Sequence, residues 1–180
     1  MKNNIFYTFV LFSFFINLNL SSQELEVNSS KIKHNNVNNI TVFEGSVNSA
    51  DKKGNKLFSE YAEYNKVDNL FETKGVTKII TSGGLEVLSA NVFFDNKNKT
   101  ILSDYKTQIK DKDGNKITVD MFNYSILTGI FFSKGNIKVL DINNNNYNFS
   151  EIYIDENKNK IIGSDVKAFL KDDSLSANSN

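Results

Sequence analysis

Residues 59–79 read S-E-Y-A-E-Y-N-K-V-D-N-L-F-E-T-K-G-V-T-K-I, and this stretch contains the pattern that decides the fold. Ala62 and Tyr64 lie on either side of the charged Glu63, a polar segment follows at 65–69, and a second alternating segment begins at Phe71. Alternation with a period of two places apolar side chains on one face of a half-buried β-strand. The stretch therefore predicts two strands joined by a polar turn.

The same pattern returns every 30 residues, from about residue 27 to residue 170, without insertion or deletion. One column consists of Ile32, Ala62, Val92, Phe122 and Ile152. The column two residues later consists of His34, Tyr64, Phe94, Tyr124 and Ile154. Turn-forming residues follow directly, at Asn35, Asn65, Asp95, Ser125 and Asp155. Five copies in one register indicate a repeat architecture.

Longer alternations extend the pattern along the chain. The first strand of the third unit is predicted to place on one face Leu88, Ala90, Val92 and Phe94. Second strands do the same with Phe71, Thr73, Thr77 and Ile79, and with Phe131, Ser133, Ile137 and Val139, and the last one is expected to place Phe169 in the interior. A gapped column of glycines (Gly45, Gly75, Gly135) lies within these second strands, where it indicates a bulge or a close approach of backbones.

A second turn closes each unit. Residues 51–55 and 111–115 occupy equivalent places, and both contain a glycine that suits a tight turn with positive φ. Helical periodicity is not evident after the N-terminal segment. The sequence therefore predicts an all-β fold of about ten short strands built from five 30-residue repeats, which is a sandwich, a jelly roll or a solenoid.

The N-terminus has the layout of a secretory signal peptide. Lys2 precedes an apolar run at 5–16, and the small residues Ser21 and Ser22 follow before Glu24. We expect a signal peptide at residues 1–22, a domain at 24–172 and a polar tail at 173–180. An uncleaved N-terminal anchor is the alternative. Either arrangement exports the remaining chain.

Composition excludes several classes of function. Lys and Arg number 21, as do Asp and Glu, so the formal net charge is zero and nothing favours nucleic acid as a partner. Cysteine is absent, which excludes disulfides and thiolate chemistry. Proline is absent too, so the edge strands lack one of the common devices against pairing with another sheet.

The candidate catalytic residues do not form a site. His34 is the single histidine, and it occupies a column otherwise filled mainly by aromatic residues, so we interpret it as a residue at the sheet rim. Asp111 and Asp113 resemble the start of a calcium loop, but Lys116 and Phe122 stand where that loop needs Gly and Glu. Gly83-Gly84 precedes no helix and is not a phosphate-binding loop. We therefore expect no enzymatic activity, no metal and no cofactor.

The repeat resembles the OstA-like domain family of lipopolysaccharide transport, which includes the periplasmic bridge protein LptA and the N-terminal periplasmic domain of LptD. The segments that carry the resemblance are S-E-Y-A-E-Y-N (59–65), S-A-N-V-F-F-D (89–95), and V-D-M-F-N-Y-S (119–125) followed by G-N-I-K-V (135–139). Tyr105 and Asp165 depart from the pattern, since they stand where the family repeat has Gly.

The resemblance implies an open β-jelly roll in the periplasm, with outer-membrane association as a variant, whose apolar groove shields the acyl chains of lipopolysaccharide. It implies as partners the lipid A acyl chains and other OstA-like domains, including inner- and outer-membrane components, stacked edge to edge. The groove residues expected from the apolar columns are Ile32, Ala62, Tyr64, Ile79, Val92, Phe94, Ile109, Phe122, Tyr124, Ile137, Val139 and Ile152. The same columns are compatible with an ordinary filled core, as in a structural or adhesive exported β-solenoid.

Overall fold

The computed structural model describes residues 26–170. The expected signal peptide at 1–22 and polar tail at 173–180 lie outside the described residues. All sixteen strands of the described part pair antiparallel, and this part contains no helix. The strands are β1 (Glu26–Asn28), β2 (Lys31–Asn35), β3 (Ile40–Ala50), β4 (Lys56–Asn65), β5 (Leu70–Thr73), β6 (Val76–Ile80), β7 (Glu86–Ala90), β8 (Phe93–Asp95), β9 (Thr100–Ser103), β10 (Thr107–Lys110), β11 (Lys116–Val119), β12 (Phe122–Ser125), β13 (Ile130–Leu140), β14 (Asn146–Asp155), β15 (Lys160–Ser164) and β16 (Lys167–Phe169).

The strands form two layers. Once in every half repeat, the chain crosses from the strand pairings of one layer to the strand pairings of the other. Layer 1 contains, in order, β2, β3 (40–44), β4 (61–65), β5, β8, β9, β12, β13 (130–134), β14 (151–155) and β15. Layer 2 contains β1, β3 (47–50), β4 (56–59), β6, β7, β10, β11, β13 (137–140), β14 (146–149) and β16. The all-β fold predicted from the repeat is confirmed, and so is the open jelly-roll arrangement that the resemblance implies.

The glycine column marks the line where the chain crosses between the layers, which we call the seam. Gly45, Gly75 and Gly135 have φ of 74°, 81° and 112°, values that L side chains rarely adopt. Asp165, in the same column, also has a positive φ, of 52°. In β3 and β13 the crossing is a shift of register after Glu44 and after Lys134.

The seam explains why the number of strands differs from the expected ten. In most repeats a predicted strand is interrupted where it crosses the seam, so that it becomes two strands, one in each layer. Each layer therefore contains ten strand segments. The crossing also changes which alternate residues of a strand face the interior. Asn91 has a φ of 47°, and before it Leu88 points outward and is 45% exposed, whereas Val92 and Phe94 are buried. Placing Leu88 and Ala90 on the same face as Phe94 was therefore wrong.

The second-strand alternations are confirmed, since every member of both sets is buried between the layers: Phe71, Thr73, Thr77, Ile79, Phe131, Ser133, Ile137 and Val139. The last strand differs. Phe169 pairs with the outward-facing Asn146 and is 50% exposed, while Ala168 occupies the inward place opposite Tyr147. The expectation that Phe169 belongs to the interior was wrong, because β16 runs one residue out of step with its column.

Polar side chains fix the turns as the sequence predicts. Asn35, Asn65 and Asp95 each accept a hydrogen bond from the backbone N–H two residues on, at 2.8–2.9 Å. On layer 2, Asp51 and Asp111 do the same within the turns 51–55 and 111–115, where Gly54 and Gly114 have positive φ. All these turns lie at the strand ends farthest from the seam.

Candidate functional site

The candidate site is the space between the two layers, where most of the residues expected to line a groove come together. Those that are buried there are Ala62, Ile79, Val92, Phe94, Ile109, Phe122, Tyr124, Ile137, Val139 and Ile152. Tyr64 is partly buried against them. Ile32 is 56% exposed, because it lies on the edge strand β2 and has a neighbour, Phe43, on one side only.

The inward residues form continuous ladders across the strands. In layer 1 one ladder runs from His34 to Ile161 through Thr41, Tyr64, Phe71, Phe94, Ile101, Tyr124, Phe131 and Ile154. In layer 2 the matching ladder runs from Val27 to Ala168 through Ser49, Leu57, Ile79, Val87, Ile109, Ile117, Val139 and Tyr147. The two ladders face each other across the interior.

The interior is filled by the protein's own side chains. The voids between the layers measure about 20 Å³, against Phe71 and Phe94, and about 10 Å³, against Phe122 and Phe131. The rings of Phe122 and Phe131 stack with centroids 5.4 Å apart. A void of 20 Å³ has room for roughly one water. Neither of these two voids has room for an acyl chain in this conformation.

Small hydroxyl residues line the interior along the seam, and sequence reasoning missed them as a group. Thr77 donates to Thr73 with the oxygens 2.7 Å apart, and Ser89 and Thr107 are linked at the same distance. Ser133 donates to the carbonyl of Met121, also at 2.7 Å. These bonds satisfy buried polar atoms and let the layers approach closely. The signal was present, since Thr73, Ser103 and Ser133 stand 30 residues apart.

Opposite the seam, turns of the two layers touch, and we call this side the mouth. Glu156, in a turn of layer 1, accepts hydrogen bonds from Thr81 of layer 2 and from the hydroxyl of Tyr124, the latter at 2.6 Å. Lys53 Nζ donates across the mouth to the carbonyl of Ile126 at 2.8 Å. A cleft of about 80 Å³ lies beside Glu156, between it and the turn 111–115. Side-chain contacts therefore close the mouth.

Burial and the neighbouring carboxylate of Glu156 raise the pKa of Tyr124 far above its ordinary value. Burial is the larger cause, because the charged phenolate is poorly solvated between the layers. The hydrogen bond to Glu156 acts in the same direction, since it needs the phenol proton. Tyr124 therefore stays a neutral donor at the mouth.

Each edge strand of the described part has an apolar residue on its inner side: Ile32, Ile161, Val27 or Ala168. In the described residues β2 and β15 each pair with one neighbour in layer 1, as do β1 and β16 in layer 2. Ile161, the last inward residue of layer 1, is 41% exposed, which parallels Ile32 at the other end. Lys31 and Lys33 lie on the outer face of β2 and pair with Glu44.

Of the residues considered for catalysis, one lies at the end of the layer 1 ladder and the others lie in turns. His34 is exposed on β2, with Nδ1 2.9 Å from Thr41 Oγ1. Both carboxylate oxygens of Asp111 accept bonds from Asn115 within its own turn, as the β-turn interpretation predicts. Within residues 26–170 no group of three or more His, Cys, Asp or Glu is arranged to hold a metal ion. Over the same residues, no helix has the length and hydrophobicity to cross a bilayer.

Comparison with known proteins gives a similarity in fold to solved structures. No family model matches the sequence, and no curated protein matches it. Among solved structures, the chain is similar to LptH of Pseudomonas aeruginosa, described as the LptA-homologous periplasmic component of the lipopolysaccharide transport device, with 12% identity, a TM-score of 0.34, and coverage of 83% of this chain and 96% of that one. A TM-score of this size carries no inference about function.

Proposed function

We propose that this chain is a periplasmic lipopolysaccharide-binding transport module, in which the acyl chains enter between the two layers through the mouth. The observation that carries the proposal is that each of the ten strand segments in both layers presents at least one inward apolar residue, the edge strands of the described part included. Ile32 at one end and Ile161 at the other are partly exposed.

When the layers open for an acyl chain, apolar contacts between side chains are replaced by apolar contacts with the lipid. The side chains that face each other across the interior, such as Phe94 and Ile79 on either side of one small void, would contact methylene groups instead. The acyl chain gains about 25 cal/mol per Å² of surface withdrawn from water. Since all crossings lie at the seam, the layers can separate at the mouth without breaking the strand pairing within either layer.

The transport itself needs no bond chemistry in this chain. The sugar head of the lipid stays in solvent at the mouth, and inward ladders of similar polarity let the acyl chains move along without a deep energy minimum. The edge strands β2 and β15 offer backbone groups to OstA-like domains of partner proteins, in the manner of β-strand addition. Net direction has to come from an energy-consuming partner.

Photo-cross-linking at neighbouring residues tests the proposal. Phe94 faces the interior and Phe93, next to it, faces out of layer 1, so the two positions differ in face but hardly in location. Each is replaced by p-benzoylphenylalanine in the exported protein. The proposal predicts lipopolysaccharide adducts at position 94 and few at position 93. Equal labelling at both positions, or none at 94 in a folded protein, contradicts it.

A second candidate function, a structural or adhesive exported β-scaffold, is favoured by the packed interior. Voids of about 20 Å³ or less are what a permanently closed core contains. Under this alternative position 94 cross-links to other residues of the same chain and captures no lipid. The same experiment therefore separates the two candidates.

A further inference from the structure

The outer face of layer 2 is concave and holds a groove of about 500 Å³. The groove spans the consecutive strands β6, β7, β10, β11, β13 and β14, and it lies on the opposite side of layer 2 from the interior. Leu88 and Leu140 contribute apolar surface, and Gln108, Thr118 and Asn146 contribute amide and hydroxyl groups. Its volume falls within the range of small-molecule sites, about 300–1,000 Å³.

Lysines dominate the charge of this groove. Lys110 and Lys116 stand directly opposite each other on β10 and β11, and Lys138 is diagonal to Lys116, since it pairs with Thr118. Among the described residues, no carboxylate lies within ion-pair distance of these three ammonium groups. Glu86 faces Lys110 across the strand pair, but its carboxylate contacts Lys78 at 3.1 Å.

The fold does not require this arrangement. Like charges directly opposite on neighbouring strands repel each other and weaken the pairing. The places next to them are held by the neutral Gln108 and Thr118, so uncharged residues suit the same face of the same strands. The chain as a whole has a formal net charge of zero, yet four lysines and one glutamate line this groove. Concentrated, unneutralised positive charge in a concavity attracts an anion.

We propose that this groove binds a phosphorylated saccharide. The ammonium groups of Lys110, Lys116 and Lys138 bind phosphate as point charges. Gln108 and Thr118 offer hydrogen bonds to sugar hydroxyls, and the leucines contact the apolar faces of a sugar ring. The concave shape fits one or two sugar rings and does not fit the flat surface of a bilayer. The site is separate from the interior, so the inference does not rest on the proposed function.

The test measures the binding of glucose 1,6-bisphosphate by isothermal titration calorimetry to the folded protein. We expect the variant Lys110→Gln/Lys116→Gln/Lys138→Gln to bind at least about tenfold more weakly, a loss of about 1.4 kcal/mol. The matched control is Lys66→Gln/Lys97→Gln/Lys106→Gln, which removes the same charge from exposed positions outside the groove and should leave the affinity unchanged. Glucose should not bind.

Several results overturn the inference. They are no binding to the wild-type protein, equal weakening in the two triple variants, binding of inorganic phosphate as tight as that of the bisphosphate, or binding to vesicles of anionic phospholipid without binding to the sugar. Lipid adducts at position 94 are measured in the same groove variant. Their retention alongside lost sugar binding shows that the groove and the interior act independently.

Discussion

At the scale of single residues, glycines act in two different ways in this fold. Gly163 lies on the inner face of β15, opposite Ile152, and a Cβ built on it would overlap the ring of Phe149. Gly75 lies at the seam with a φ of 81°, and a Cβ there would meet nothing within 4 Å. The first glycine is needed for space and the second for backbone conformation.

Gly163→Ala and Gly75→Ala should therefore both destabilise the protein, for different reasons. We expect Gly163→Ala to cost about 1–3 kcal/mol, because the Phe149 ring must move, and Gly75→Ala about 1–2 kcal/mol, because alanine is strained at positive φ. Urea denaturation gives both values. Replacing Phe149 by Ala should relieve the effect of Gly163→Ala but leave that of Gly75→Ala unchanged. If the Phe149 substitution changed the effects of Gly163→Ala and Gly75→Ala equally, this distinction would be contradicted.

Tyr124 should make the protein sensitive to alkaline pH. Its pKa is raised in the folded state above the ordinary value of 10.0, so above pH 10 the unfolded chain releases a proton that the folded protein keeps. The free energy of unfolding then falls as pH rises, by at most about 1.4 kcal/mol per pH unit for this group. Its contribution is complete below pH 10 and is lost above it.

Tyr124→Phe should make this decline shallower, which denaturation curves between pH 8 and pH 11 measure. Tyr61 and Tyr147, whose pKa values are also raised, keep part of the slope in the variant. The variant also loses the bond to Glu156, so it should be less stable at pH 7 by about 1.5–3 kcal/mol. An unchanged alkaline slope would contradict the assignment.

At the scale of strands, the pair Lys110 and Lys116 carries a cost that substitution should remove. Lys116→Glu places opposite charges face to face on β10 and β11. We expect the free energy of unfolding to rise by about 0.2–1 kcal/mol, and the gain to shrink in high salt. The matched variant Lys97→Glu, in an exposed turn, should not show this gain. A loss of stability in Lys116→Glu would show that repulsion between Lys110 and Lys116 does not weaken the pairing of β10 with β11.

Strands and turns were predictable from the sequence to the extent that their patterns are local. The side chains of the turn residues Asn65 and Asp95 accept hydrogen bonds from the backbone two residues further on. A segment of four or five residues is enough to predict such a turn. The glycine column predicted the bulges at Gly45 and Gly135, which the register shifts confirm. The crossing at Asn91 was not predictable, because asparagine can adopt either positive φ or an extended backbone. The misplaced faces of Leu88 and Phe169 both follow from such crossings.

At the scale of the whole molecule, the apolar columns predicted which residues line the interior, but not whether the interior is a filled core or a lipid groove. Phe122 and Ile152 are inward in either a filled core or a lipid groove, since a column of apolar residues has the same appearance whether a facing layer or a guest covers it. The facing partner depends on the angle between the layers, which brings Thr81 to Glu156 and Lys53 to Ile126 across 75 and 73 residues. No pattern in the sequence marks those pairs.

The central claim is that lipid enters between the layers at the mouth, and a removable clamp tests it most directly. The chain has no cysteine, so Thr81→Cys/Glu156→Cys carries the only two thiols, one on each layer. A short bis-thiosulfonate cross-linker joins them, and a reductant releases them in the same protein. Lipopolysaccharide binding is measured before and after release. The account predicts no binding while the layers are joined and binding after reduction; equal binding in both states would contradict it.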